Sequence, residues 1–449
     1  MEYQDKKVLV LGLARSGVAA MELLKAKGAD VAGADENREI SLPGRLESRD
    51  IRLGPFREYL LEGCDEVILS PGIPVSSPIV EEARGRGIPV ISELELGCRF
   101  VPGEIIAITG TNGKSTTVSM IEAVLKRGGL NAIAAGNIGK PVCSVVSEKG
   151  EEGILVLEVS SFQLETISSF SPRVAGILNM TPDHLDRYTS LEDYYGAKER
   201  IVLNCGEESA FVFNAGDSRC VSVAERFPGR LIPFSSGGEL KDGTVLLGEE
   251  IVIMEEGEVR ERIMNVSELK VTGTHNIENA LAAVAAVSEF GVKGWVCRDG
   301  LSGFEGLKHR MEKVATLNGV DYYNDSKATN VEGTVMSLKG MPAPVTLIAG
   351  GLDKGSDYSK LLSVSAKIGN IVLIGEAADL IEEAVSGVIP VYRADSMDSA
   401  VRLGRQLSEP GTAVILSPAC ASFDMYRDFR ERGRKFREAV NELRGDEDE

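Results

Sequence analysis

Residues 104–129 read EIIAITGTNGKSTTVSMIEAVLKRGG, and this stretch decides the architecture. EIIAIT is an apolar run closed by a glycine, as a buried strand requires. TVSMIEAVLKR has helical periodicity and stops at Gly128 and Gly129. Between the two lies Gly110-Thr111-Asn112-Gly113-Lys114-Ser115-Thr116. A glycine turn between a strand and a helix lets backbone N–H groups wrap phosphate oxygens, and the helix N-terminus adds positive potential. Lys114 can reach the outer phosphates, and the Ser115 hydroxyl can bind Mg²⁺. The loop is the short G-x-x-G-K-[ST] form, because Ile108 stands where the longer motif has its first glycine. Such a loop points to nucleotide binding but does not separate kinase, GTPase and ligase.

The same strand–helix alternation extends in both directions. On the N-terminal side, KKVLVLG is a strand and SGVAAMELLKAKG a helix ending at Gly28, while DVAGADE and DEVILSPGIP are further strands. This alternation indicates a parallel sheet with crossover helices. Downstream come strands at GILVLEVSS and VAGILNM. From about Ser209 to Met264 the short runs AFVFNAG, RLIPFSS and EEIVIMEEGEV suggest a small antiparallel insert. The helix NIENALAAVAAVSEFG follows, and then VTLIAGG, NIVLIG, VIPVYRA and TAVILSP alternate with helices. The expected fold is α/β in three domains. Residues 1–100 form a Rossmann-like N-terminal domain and 101–305 a central P-loop domain with the insert. Residues 306–449 form a Rossmann-like C-terminal domain. The closing RGDEDE is charged and expected to fray.

Composition narrows the function. A chain of 449 residues with 43% apolar and 26% charged residues is an ordinary globular protein of several domains. No apolar run is long enough to span a bilayer, so no membrane insertion is expected. The opening residues pass straight into a strand, which argues against a secretory signal and makes the cytoplasm the expected compartment. The seven cysteines include no C-x-x-C pair, so reduced apolar thiols are expected rather than disulfides or a zinc site. A formal charge of −19 argues against nucleic acid, which needs a basic face. Phosphorylated small molecules remain open as ligands. A monomer is expected.

Three further positions carry chemistry. Glu158 ends the strand ILVLE beside the phosphate loop, where an acid can hold Mg²⁺. His184, one of only three histidines, lies between Asp183 and Asp186 at the next strand end. Lys198, in YYGAKERI, reads on its own as a solvated helix lysine.

These motifs are joined, in order, by LEVSSFQLE, NMTPDHLDRY, GTHNIENALAA, HRME, NDSKATN and LSPACASFDMY. Together they resemble the Mur ligases, which build the peptide stem of bacterial cell-wall precursors, and the likeness covers nearly the whole chain. SPACASFDMY, with no Asn-Pro-Arg motif in the third domain, is similar to the branch that adds D-glutamate. The resemblance implies that ATP phosphorylates the carboxylate of UDP-N-acetylmuramoyl-L-alanine. The amine of D-glutamate then captures the acyl phosphate.

The resemblance also implies residue roles. Lys114 would stabilise the transferring phosphoryl group, and Ser115 and Glu158 would hold one Mg²⁺. His184 would help hold a second Mg²⁺, and Lys198 would be carbamylated and support the metal. Gly110, Thr111, Asn112, Gly113, Lys114, Ser115 and Thr116, with Asn276, Asn279, Arg310, Asp325 and Lys327, would bind ATP. Leu13, Ala14, Arg15, Ser16, Asp35, Ser70, Pro71 and Gly72 would take the UDP end of the donor, and Asn137 and Gln163 its sugar end. Thr329, Lys354, Ser422 and Phe423 would take D-glutamate, although Asp353-Lys354 also reads as an ordinary charged turn. Nucleotide contacts from both ends of the chain imply that the third domain closes as a lid. Four alternatives stay open. They are a Mur-type ligase adding another amino acid, a folylpolyglutamate synthetase, a P-loop kinase or switch, and a nucleotide-binding module without catalysis.

Overall fold

The computed structural model describes residues 3–44, 46, 50–148, 153–183, 187–238, 240–271, 273–341 and 344–447. They divide into two compact units. One takes residues up to 270 with 275–304, the other 271–274 with 305 onward.

The first unit begins with β1 (Lys7–Leu11), α1 (Arg15–Ala26), β2 (Asp30–Asp35), β3 (Ile51–Leu53), β4 (Glu66–Leu69), α2 (Pro78–Gly85), β5 (Val90–Ser92) and α3 (Glu93–Cys98). All five strands are parallel, in the order β3-β2-β1-β4-β5. After β1 the chain turns at Gly12 with φ 83°. Gly17 has no room for a side chain, because a Cβ there would collide with the Gly12 carbonyl. The predicted P-loop segment forms β6 (Glu104–Thr109) and α4 (Lys114–Arg127). Then come β7 (Ala132–Gly136), α5 (Val142–Glu148), β8 (Ile154–Glu158), α6 (Ser161–Leu164), β9 (Val174–Ile177) and α7 (Leu191–Glu199). The rest is β10 (Ala210–Asn214), α8 (Ser218–Ala224), β11 (Arg230–Ser235), β12 (Gly243–Leu247), β13 (Glu250–Glu255), β14 (Glu258–Asn265), α9 (Thr274–Val287) and α10 (Gly294–Ser302).

These strands make one sheet in the order β14-β13-β12-β11-β10-β9-β6-β8-β7. AFVFN and RLIPFS, read from sequence as part of an antiparallel insert, are parallel strands β10 and β11 that extend the main sheet. The reason is coverage. Phe211 and Phe213 are buried in the core with Cys220 and Val223 of α8, and a crossover helix supplies that cover where a hairpin cannot. In this sheet, among the described residues, antiparallel pairing is confined to β12, β13 and β14.

Two acids of α3 bind the first sheet's layer to the second. The fully buried Glu95 carboxylate accepts N–H bonds from Ser168 at 3.0 Å, Ser169 at 2.9 Å and Phe170 at 2.9 Å, and the Ser169 hydroxyl at 2.5 Å. Bonds of this kind to a charged acceptor contribute about 1.5–3 kcal/mol each. Glu93 accepts the Cys143 N–H at 2.7 Å through Oε1, while its buried Oε2 has no partner among the described residues.

Burial therefore pushes the Glu93 carboxyl up to about 7 from an ordinary 4.5. The folded chain keeps a proton that the unfolded chain has released between those values. Stability therefore falls as pH rises through that window. Glu93→Gln is expected to match the parent near pH 4.5 and to gain up to about 3 kcal/mol at pH 8, at 1.36 kcal/mol per pH unit. Urea denaturation at both pH values checks this, and an equal gain at both would contradict it.

The second unit contains β15 (Glu312–Leu317), β16 (Val320–Asn324), α11 (Val331–Lys339), β17 (Val345–Gly350), β18 (Ile368–Ile374), α12 (Ala378–Val385), β19 (Val391–Arg393), α13 (Met397–Gln406), β20 (Ala413–Leu416) and α14 (Phe429–Glu447). The strand order is β15-β16-β20-β17-β18-β19, parallel except for β15. Helix α14 runs to Glu447, into the stretch expected to fray, with Arg444 favourably placed in its last turn.

Candidate active site

The phosphate loop is braced before any ligand arrives. Gly110 at φ 143° and Gly113 at φ 86° make the turn, and a Cβ at Gly113 would collide with Asn279 Oδ1. Asn179, just beyond β9, accepts the Thr111 and Asn112 N–H groups through Oδ1 at 3.1 and 2.8 Å. Its amide donates back to the Asn112 carbonyl at 3.2 Å. Asn179 was not singled out from the sequence. The signal available was an asparagine at the end of the strand beside β6.

Lys114 Nζ donates to the Gly110 and Thr111 carbonyls, both at 2.8 Å. Ser115 Oγ donates to Glu158 Oε2 at 2.5 Å, and Asn137 Nδ2 donates to Glu158 Oε1 at 2.7 Å. Glu158 is only 3% exposed. A hydroxyl and a carboxylate are the hard oxygen donors that Mg²⁺ takes, and Mg²⁺ draws its other ligands from water and phosphate. Among the described residues no cluster of three or more His, Cys, Asp or Glu forms a complete protein cage. Ser115 and Glu158 offer two oxygen donors of that kind.

Lys198 corrects the expectation of a solvated lysine. Its side chain is 2% exposed, lies 4.6 Å from the Tyr194 ring centroid and donates to the Gly110 carbonyl at 2.8 Å. Burial, followed by the nearby Lys114 charge, holds its amine well below the usual lysine range, and Asp183 acts in the opposite sense. Glycine 110 thus carries both lysines. His184 lies outside the described residues.

Asn276 and Asn279 dock α9 against the loop's helix. Thr117 Oγ1 donates to Asn279 Oδ1 at 3.1 Å, and Asn279 Nδ2 to Asn276 Oδ1 at 3.2 Å. Gln163 is held in a capping box, its Oε1 accepting the Ser160 N–H and hydroxyl, both at 3.0 Å. Thr116 is buried in α4.

In the first layer, Asp35 accepts the Leu13 N–H at 2.6 Å and the Asn37 N–H at 2.8 Å. It shapes the loop, and the Leu13 side chain is core. Ser70 Oγ donates to the Gly12 carbonyl at 2.7 Å, so the two strand-end loops touch. Arg15 reaches the Gly139 carbonyl at 2.6 Å, and Arg187 reaches the Pro71 carbonyl at 3.0 Å. Ala14 and Gly72 are exposed and Ser16 half-buried. A polar cleft of about 730 Å³ opens at the ends of β10 and β11, lined by Met180, Asn214, Asp217, Ser235 and Glu278 among others. None of these was singled out from the sequence, although an acid after a parallel strand is a recognisable signal.

The second unit gathers its own set at the C-terminal ends of β16, β20 and β17. Asp325 accepts the Ser337 hydroxyl at 2.6 Å, the Ser417 hydroxyl at 2.8 Å and the Met311 N–H at 3.2 Å. Burial pushes its carboxyl up to about 6. Lys327 is exposed, 4.3 Å from the Phe429 ring centroid, and the Thr329 N–H donates to its carbonyl at 2.9 Å. Arg310 is half-buried. Lys354 is exposed in a turn that Asp353 ties through the Gly355 N–H at 3.0 Å and Tyr358 hydroxyl at 2.7 Å. Ser422 is buried, and Phe423 is 64% exposed.

Three family models match in sequence order. They are the Mur ligase MurD-like N-terminal domain at 6–92, the Mur ligase middle domain at 108–287 and the Mur ligase glutamate ligase domain at 309–420. UDP-N-acetylmuramoylalanine--D-glutamate ligase of Koribacter versatilis is 42% identical over 451 residues, covering 99% of each chain. The same-named protein of a Thermoanaerobacter species is 40% identical over 454 residues, covering 99% of this chain and 100% of the relative. Among solved structures, UDP-N-acetylmuramate-alanine ligase from Thermotoga maritima is similar with a TM-score of 0.63 at 20% identity, covering 98% of this chain and 99% of that one. At that identity the likeness carries the fold alone.

Proposed function

The chain belongs to the Mur ligase family, and on that premise we propose that it joins D-glutamate to UDP-N-acetylmuramoyl-L-alanine at the expense of ATP, in peptidoglycan precursor synthesis. The observation that carries the reading is the crowding of Lys114, Lys198, Ser115 and Glu158 around one phosphate loop, in a chain that matches the D-glutamate ligases end to end.

The donor carboxylate oxygen attacks the γ-phosphorus, and ADP leaves. The D-glutamate nitrogen then attacks the acyl carbon, inorganic phosphate departs, and the nitrogen loses a proton. A carboxylate repels an amine, so phosphorylation supplies the leaving group. The protein positions the reactants and neutralises charge. Loop amides and Lys114 would receive the phosphates. Ser115 and Glu158 would hold Mg²⁺, which when bound neutralises phosphate charge. Lys198, as a carbamate, would turn from an amine to a carboxylate-like anion and support a second ion with His184.

The rim built by Leu13, Asp35 and Ser70 would take the UDP end of the donor, with Asn137 and Gln163 toward its sugar. Asn276, Asn279, Arg310, Asp325 and Lys327 would serve ATP, and Thr329, Lys354, Ser422 and Phe423 would serve D-glutamate. Three functional segments at 1–100, 101–305 and 306–449, a lid-like third segment, a monomer and a cytoplasmic site of action belong to the same reading. No helix among the described residues is long and apolar enough to cross a membrane.

Phosphate release from ATP with the UDP-linked donor tests the reading, comparing D-glutamate, L-glutamate and no amino acid. Release is expected only with D-glutamate. Equal release with L-glutamate, or without any amino acid, would sink it.

A further inference from the structure

The largest fully buried side chain among the described residues is an arginine that the mechanism above does not use. Arg432, in α14, is 1% exposed. Its Nε donates to Ser326 Oγ at 3.0 Å. Its Nη1 donates to the Gly350 carbonyl at 3.4 Å and the Ala421 carbonyl at 3.1 Å. Its Nη2 donates to the Ser326 and Cys420 carbonyls, both at 3.0 Å. A guanidinium has five N–H donors, and all five are taken. None goes to a carboxylate, and among the described residues no acid lies within ion-pair distance. Burial accordingly pulls the guanidinium down to about 10, which still leaves it charged at neutral pH.

A buried charge bonded only to neutral acceptors, with Asp424 acting on it from beyond ion-pair distance, is costly, so its use asks for a reason. The partners supply one. Ser326 lies in the loop after β16, Gly350 ends β17, and Cys420 and Ala421 lie in the loop after β20. The same three loops carry Thr329, Lys354, and Ser422 with Phe423. Other contacts hold the loops close together. The Ala419 N–H donates to the Ala328 carbonyl at 3.1 Å, and Leu352 and Ala421 form an antiparallel bridge. A Cβ at Gly351 would collide with the Ala421 carbonyl. Those main-chain contacts join the loops two at a time, whereas the rigid planar fork bonds to all three at once and so ties their spacing together.

We infer that Arg432 is a positioning residue for the amino-acid subsite. From beneath, it sets the relative placement of the three strand-end loops that would grip the two carboxylates of the incoming dicarboxylic amino acid. This inference rests on the functional reading above.

Arg432→Lys keeps the charge and loses the fork. Ser326→Ala removes one acceptor and is the milder probe if the lysine variant does not fold. Steady-state kinetics on purified full-length protein, with D-glutamate and the UDP-linked donor varied in turn, separate the possibilities. The Arg432→Lys variant is expected to raise KM for D-glutamate by about tenfold or more, with KM for the donor within about twofold of the parent. Ser326→Ala is expected to shift KM in the same direction by a smaller factor. A merely structural arginine would lower the active fraction, and hence kcat and Tm, with both KM values unchanged. That result, in whichever variant folds, overturns the inference. Wild-type protein with no D-glutamate-dependent turnover overturns the functional reading and this inference with it. Wild-type turnover with an unchanged D-glutamate KM in the variants overturns this inference alone.

Discussion

Lys114→Ala is expected to lower kcat by a factor on the order of 10³–10⁵, the range lost when a cation that stabilises a transferring phosphoryl group is removed. The ammonium is held 2.8 Å from the Gly110 and Thr111 carbonyls, so it is already ordered at the loop. Charge placed in advance stabilises a transition state without reorganisation at the moment of reaction. KM for the UDP-linked donor should stay close to the parent value, because the bonds to the Gly110 and Thr111 carbonyls hold the ammonium at the phosphate loop. Tm should change little, since a half-buried ammonium bonded to two carbonyls is a small part of the fold. A kcat within tenfold of the parent would remove the phosphoryl-transfer role from Lys114.

The second large effect concerns Lys198. Lys198→Ala is expected to lower kcat by on the order of 10²–10³, comparable to losing one preorganised stabilising group. Added short carboxylic acids should restore part of the activity. The physical ground is the burial of this lysine against Tyr194, with its amine on the Gly110 carbonyl. Desolvation and the Lys114 charge disfavour the ammonium, so the neutral amine is available to take up CO₂. That step forms an N–C bond, releases one proton and turns the neutral amine into an anionic carbamate. Wild-type enzyme in CO₂-free buffer should therefore lose activity and regain it with bicarbonate. Wild-type-like turnover of Lys198→Ala with no added acid would count against the carbamate. The two predictions are linked, because Lys114→Ala also removes a charge that, after burial, pulls the Lys198 amine down.

Local features were legible in the sequence because local physics writes them. The GTNGKST turn needs glycines at φ 143° and 86°, and only glycine adopts such angles without strain. The stop of α1 before Gly28 is of the same kind, with φ 84° at the glycine. The parallel character of β10 and β11 was not legible, because a short apolar run reads alike in a hairpin and in a covered parallel sheet. The roles of Asp35 and Asn179 as loop braces were hidden for a different reason. A polar residue at a strand end looks the same whether it faces a ligand or the neighbouring backbone.

The sequence alone determined the order of strands, turns and helices, the position of the phosphate loop and the family to which its motifs are similar. Each of those depends on residues within a few positions of one another. Tertiary structure alone decided that Lys198 is buried, that Ser115 meets Glu158 and that Arg432 ties three loops. These contacts join residues 88, 43 and up to 106 positions apart. Burial and charge pairing are properties of what the folded chain brings together, and no periodicity in the sequence records them.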